Sequence, residues 1–112
     1  VGADPAPGML AAANELEPSV EWVLCGAEAL NVDDESFDCV VSQFGMMFFE
    51  DRETAAKEMF RALRSGGSLA VAVWRSVDHN PAYADIIQVL EDNLGTDAAD
   101  ALRLPYSLCD SD

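Results

Sequence analysis

The carboxylate of Asp4 follows a short apolar run and directly precedes "PAPG", where a strand gives way to a turn. A carboxylate accepts hydrogen bonds, and bonds to its charged form are strong. At a strand end it can take both hydroxyls of a ribose diol. It can equally close an Asx turn ahead of Pro5, or cap the helix that follows. Position alone leaves these readings even. Few other side chains invite chemistry. His79 is the single histidine and lies in a loop before a helix, a capping rather than a catalytic place. Tyr83 and Tyr106 carry hydroxyls that could face a substrate, but Tyr83 falls on an apolar helical stripe and reads as core. Cys25, Cys39 and Cys109 are odd in number and lack C-x-x-C spacing, which predicts a reduced, cytoplasmic setting rather than a disulfide framework. Three scattered cysteines and one histidine make no zinc pattern. Cys39 sits within an apolar run and reads as core packing.

The elements that position Asp4 can be read along the chain. "VGA" is the tail of a buried strand, and "DPAPG" a turn. Met9, Ala12, Ala13 and Leu16 then recur at helical spacing until Pro18. "VEWVL" (20–24) is a second strand and "FDCVVSQ" a third, its Cys39-Val40-Val41 run fitting burial on both faces. "EDRETAAKEMFRALRSGG" is a helix. Asp51 is its N-cap, Glu53 suits its positive end, and Arg61 and Arg64 suit its negative end. Ala56, Met59, Phe60 and Leu63 form its expected apolar stripe, and Gly66 its left-handed stop. "SLAVAVW" is a continuously apolar strand, expected at the centre of a parallel sheet. Asn80 caps a helix that begins at Pro81, buries Tyr83, Ile86, Ile87, Leu90 and Leu94, and ends at Gly95. Thr96 caps a short helix over 97–103, and "LPYSLCDSD" closes the chain as loop. Strands alternating with helices, several of them apolar throughout, predict an α/β parallel sheet. Ligands of such sheets bind at the carboxyl ends of the strands. Asp4, Ser42-Gln43 and Trp74-Arg75 stand at such ends.

Composition narrows the partners. Half of the 112 residues are hydrophobic and 24% are charged, which is globular rather than disordered usage. The net charge of −15 repels nucleic-acid phosphates and anionic lipid, so neither is an expected partner. No apolar run approaches the roughly 20 residues that a spanning helix needs, and no basic and apolar signal-peptide pattern opens the chain.

The order of these pieces carries a resemblance. "VGADPAPGML", then "GAEALNVDDESFDCVVSQFGMMFFEDRETAAKEMFRALRSGGSLAVAVW", resembles the middle of a class I S-adenosylmethionine-dependent methyltransferase of the small-molecule group that includes the ubiquinone/menaquinone-type enzymes. The likeness covers about residues 1–75, with weaker likeness through "NPAYADI" and "LPYSL". It implies an incomplete Rossmann-like methyltransferase sheet flanked by helices. The expected organisation is a single partial domain over 1–112, with its core at 1–75 and a helical substrate-side segment at 76–112. It also implies that the family's first strand, its D-x-G-x-G-x-G loop and its closing strands lie outside this chain, as in the interior of a longer enzyme.

Residue by residue, the resemblance implies that S-adenosylmethionine is held as follows. Asp4 takes the ribose hydroxyls, while Pro5 and Met9 pack near the adenine. Ala27 offers its N–H to the adenine ring, with Glu28 beside it. The family's adenine-side Asp falls at Gly26, which removes a hydrogen bond to the exocyclic amine. Ser42 and Gln43 lie by the methionine part, although Gln43 also reads simply as the polar end of a buried strand. The family's Pro before the double glycine is Ser65. "FGMMFF" (44–49) reads as packing between strand and helix, or as a wall for an apolar acceptor. No catalytic residue is assigned: methyl transfer from a sulfonium is an in-line displacement that needs positioning and desolvation more than a base.

Two other readings bear on the same residues. A nicotinamide-dependent oxidoreductase also uses a ribose-binding Asp, but Lys57 is the single lysine and has no Y-x-x-x-K partner. A non-catalytic fragment that oligomerises is the third. In the family's strand order, 3-2-1-4-5-7-6, a chain without strand 1 presents two inner edges, at "VGA" and "FDCVVS". Neither carries the Lys, Pro or bulge that protects natural edges. Either these two strands pair directly or a second copy supplies a strand. A homodimer of the chain is the expectation.

Overall fold

The computed structural model describes residues 1–108; Cys109 lies outside them. The elements run β1 (Gly2–Asp4), α1 (Pro7–Leu16), β2 (Trp22–Leu24), β3 (Phe37–Gln43), α2 (Arg52–Ala62), β4 (Leu63–Ala72), α3 (Pro81–Leu94) and α4 (Thr96–Arg103). Short 3-10 turns occupy Met46–Phe48, Val77–His79 and Leu104–Tyr106. The α/β alternation is that expected from sequence. The chain divides into two compact units. One comprises Val1–Val41 and Phe49–Ala70; the other comprises Ser42–Phe48 and the chain from Val71 onward.

In the first unit, β1 and β2 pair in parallel with Gly2 opposite Trp22, Ala3 opposite Val23 and Asp4 opposite Leu24. Gly2 is required there: a Cβ on it would stand 2.2 Å from Trp22 Cζ3. Helix α1 makes the crossover, with Pro7 at its first turn as a pre-set φ favours. It buries no side chain fully, and Met9 is 63% exposed.

Strands β3 and β4 form a second two-stranded sheet. Ser36 N–H donates to Ala62 O at one end, and Phe44 N–H to Ala72 O at the other, the sense of a parallel pair. Among the described residues, β1 pairs with β2 alone and β3 with β4 alone. The gap foreseen between "VGA" and "FDCVVS" is therefore not closed by pairing those strands within one chain. The burial expected of the two apolar strands is corrected as well. Val41 is 66% exposed, Cys39 is exposed, and most of β4 is open to solvent. Apolar sequence fits a strand for cover on both faces, whereas neighbouring elements decide whether cover is there.

Asp51 caps α2 as expected. Its carboxylate accepts from Thr54 N–H at 3.0 Å and from Thr54 Oγ1 at 2.7 Å, and these bonds hold its pKa below the ordinary 3.8. The helix is shorter than expected. It passes at Leu63 directly into β4, so Arg64 lies outside it and pairs with Asp38. Gly66 does take a left-handed φ of 81°, but within the strand rather than at the helix end. Of the stripe drawn from sequence, Met59 and Leu63 are buried, whereas Ala56 is half-buried and Phe60 exposed; Ala55 and Ala62 complete the buried face in their place.

In the second unit, Met47 is buried in its 3-10 turn and Phe44 stacks on Trp74, with ring centres 4.3 Å apart. Ile87 is the buried residue of α3, while Tyr83, Ile86 and Leu94 are exposed, contrary to the stripe drawn from sequence. Asn80 and Pro81 start α3 where expected, without a side-chain cap bond. Gly95, at φ 90°, both ends α3 and precedes α4; Thr96 is the first residue of α4 rather than its cap. His79 is exposed at the end of its 3-10 turn.

Candidate functional site

Parallel pairing brings the carboxyl ends of β1 and β2 to one side, so that the residues after Asp4 and after Leu24 emerge together. Asp4 is half-buried there. Its Oδ1 accepts the N–H of Ala6 at 2.7 Å, so the Asx turn is formed. That bond occupies one carboxylate oxygen and holds the side chain in place. Oδ2 has no partner among the described residues. The two readings of Asp4 are thus compatible: one oxygen orients the group and the other remains to accept from a ligand.

The segment after β2 carries Gly26, Ala27 and Glu28, all half-buried. The N–H of Ala27 has no protein partner among the described residues and can donate to a ligand. Glu28 Oε1 accepts the N–H of Glu50 at 3.0 Å, which fixes the carboxylate against the lead-in to α2. A Cβ built on Gly26 would stand 3.2 Å from Glu28 Oε2. The Glu28 carboxylate therefore lies over the backbone from which a side chain at 26 would leave.

An arginine missed at this site by sequence reasoning holds the rest of the segment. Arg61, read there only as a complement to the helix dipole, uses all five of its N–H donors. Nε and Nη2 donate to the two oxygens of Glu58 at 2.8 and 2.9 Å. Nη2 also reaches Leu30 O at 2.9 Å, and Nη1 reaches Val32 O at 2.9 Å and Asp34 Oδ1 at 2.5 Å. Glu58 Oε2 in turn accepts from Leu30 N–H at 3.0 Å. Hydrogen bonds to Glu58 and Asp34 raise the Arg61 pKa, and Arg61 lowers that of Glu58. The only trace in sequence was an arginine three residues after a glutamate on a helix facing an acidic loop.

Pro5 and Met9 are exposed beside Asp4, Pro5 in the turn and Met9 on the first turn of α1. Ser42 and Gln43 end β3 and belong to the second compact unit, Ser42 half-buried and Gln43 exposed. Also in that unit, a cleft of about 410 Å³ is lined by Ser76, Val77, Asp100, Arg103, Leu104 and Tyr106 among others. Arg103 is held within it by Glu91 at 2.5 Å and Asp100 at 2.9 Å.

Known proteins resemble the chain in sequence and in fold. A family described as "Methyltransferase domain" matches residues 1–71. The ubiquinone/menaquinone biosynthesis C-methyltransferase UbiE of Xylella fastidiosa is 43% identical over 58 residues, 52% of this chain and 23% of that protein. Its counterpart in Cronobacter sakazakii is 45% identical over 53 residues, 47% of this chain and 21% of that protein. The matched stretch is thus less than a quarter of either relative. Among solved structures, a SAM-dependent methyltransferase from Thermotoga maritima, described as a possible histamine N-methyltransferase, superposes with a TM-score of 0.66. It is 26% identical, and the superposition covers 91% of this chain and 51% of that one.

Proposed function

Since the chain belongs to the methyltransferase domain family, we propose that the protein carrying it transfers a methyl group from S-adenosylmethionine to a small-molecule acceptor. The observation that carries this reading is Asp4. Its carboxylate is oriented by one backbone bond at the end of a parallel strand and has one oxygen open. The residues present fit the adenosyl group. Asp4 would hold the ribose hydroxyls, Pro5 and Met9 would flank the base, and Ala27 N–H would donate to it beside Gly26 and Glu28. The cofactor supplies a methyl group already activated on a sulfonium, so the protein's task is to bind, orient and exclude water. The relatives' names point to carbon and nitrogen acceptors alike and do not select between them. Isothermal titration of S-adenosylmethionine into the intact protein tests the reading. A dissociation constant in the micromolar range is expected, and absence of heat at millimolar ligand would overturn it.

The free thiols of Cys25 and Cys39 fit a reduced, cytoplasmic setting. Among the described residues no helix is long and apolar enough to cross a membrane. For the 112-residue chain alone, the open inner edges of β1 and β3 and the exposed apolar side chains Leu24 and Val41 favour association of two copies through strand pairing. Light scattering should then give twice the 12.0 kDa chain mass. A constant single-chain mass across a wide concentration range would rule the pairing out.

A further inference from the structure

We propose that Glu28 is the residue that selects adenine over other purines, in place of a side chain at position 26. The inference rests on the adenosyl reading of this site. Asp4 ends β1, and Glu28 lies in the loop four residues beyond the end of its parallel neighbour β2. Each has one oxygen fixed by a backbone N–H, Asp4 by Ala6 and Glu28 by Glu50. Each has its second oxygen without a partner among the described residues. Carboxylates accept only, so a ligand spanning them must offer donors at both ends. A nucleoside bearing an amino group does so: its diol meets Asp4 and its exocyclic amine meets Glu28.

The neighbouring backbone sharpens the match. Ala27 N–H, a donor, and Glu28 Oε2, an acceptor, are both left without a partner on consecutive residues among the described residues. Adenine presents the complementary pair, a ring nitrogen that accepts next to an amine that donates. Hypoxanthine presents the reverse, a ring N–H next to a carbonyl, and would set its oxygen against the Glu28 carboxylate. Position 26 is where the resemblance drawn from sequence lacks its acidic side chain. The 3.2 Å between a Cβ at 26 and Glu28 Oε2 shows that the carboxylate of residue 28 occupies the ground an acidic side chain at 26 would take.

The test is a comparison of S-adenosylhomocysteine with S-inosylhomocysteine by isothermal titration into the intact protein. The unaltered protein should prefer the adenosyl compound by about tenfold or more, as for a hydrogen bond to a charged group that becomes a repulsive contact. Glu28→Gln keeps an acceptor for Glu50 N–H and turns an amide donor toward the base, so the preference should fall to parity or reverse. Glu28→Ala should also abolish it, and adding Gly26→Asp to that variant should bring it back. An unchanged preference in both Glu28 variants overturns the proposal while leaving the adenosyl reading intact. Loss of preference that Gly26→Asp does not restore also overturns it, since Glu28 would then act through loop shape alone. Binding of neither compound by the unaltered protein overturns the adenosyl reading and this proposal together.

Discussion

Asp4→Ala in the intact protein is expected to weaken S-adenosylmethionine binding by about 1.5–3 kcal/mol, the scale of a hydrogen bond to a charged group. That is roughly 10- to 150-fold in dissociation constant. The substitution removes two things at once: the oxygen that has no partner among the described residues and the Oδ1 that orients the turn through Ala6 N–H. Asp4→Asn separates them. Its amide oxygen can still accept from Ala6, so the turn remains, while the open position becomes an uncharged NH2 facing the hydroxyls. The asparagine variant should fold as the parent does, by circular dichroism, and still lose most of the affinity. Equal affinity of parent and both variants in isothermal titration would remove Asp4 from the ribose.

The second large effect is on stability. Met59 is 3% exposed in the first unit, packed on the same helical face as Ala55 and Ala62. Met59→Ala should cost about 2–5 kcal/mol, the range for deleting a large buried side chain. That is a sizeable share of the 5–15 kcal/mol that holds a typical domain folded. Its neighbour Phe60 is 75% exposed, and Phe60→Ala should change stability by about 0.5 kcal/mol or less. Urea denaturation of the chain and of the two variants checks the pair. Similar costs for both, or a larger cost at Phe60, would mean that the helix packs on the other stripe.

That pair also marks where sequence reasoning stops. A 3.6-residue period marks the helix, but α2 has two apolar stripes one residue apart, and bulk drew the expectation toward Phe60. Small Ala55 and Ala62 define the inner face because they permit close approach, a property of the neighbour rather than of the helix. Local chemistry was legible. The Asp51 cap, the turn after Asp4, Pro81 at a helix start and the Gly95 stop each depend on residues within four positions. Strand burial was not legible, since Cys39 and Val41 look the same in sequence whether or not another element covers them. Nor was the Glu28–Glu50 bond, which joins residues 22 apart. At the candidate site the likeness led to Asp4 and to 26–28; the arginine that braces the adjoining residues 30–34 emerged only from the fold.

That arginine has a consequence for the cost of binding. The stretch from Gly26 to Ser36 contains no strand or helix, and a free loop loses backbone entropy of about 1–2 kcal/mol for each residue that a ligand orders. Arg61 and Glu58 hold this one beforehand at Leu30, Val32 and Asp34. Ala27 and Glu28 are therefore presented on a segment already immobilised, and the entropy of fixing it belongs to folding rather than to ligand capture. A lysine at 61 would keep the charge but not the fork of five donors, and would return part of that freedom to the loop.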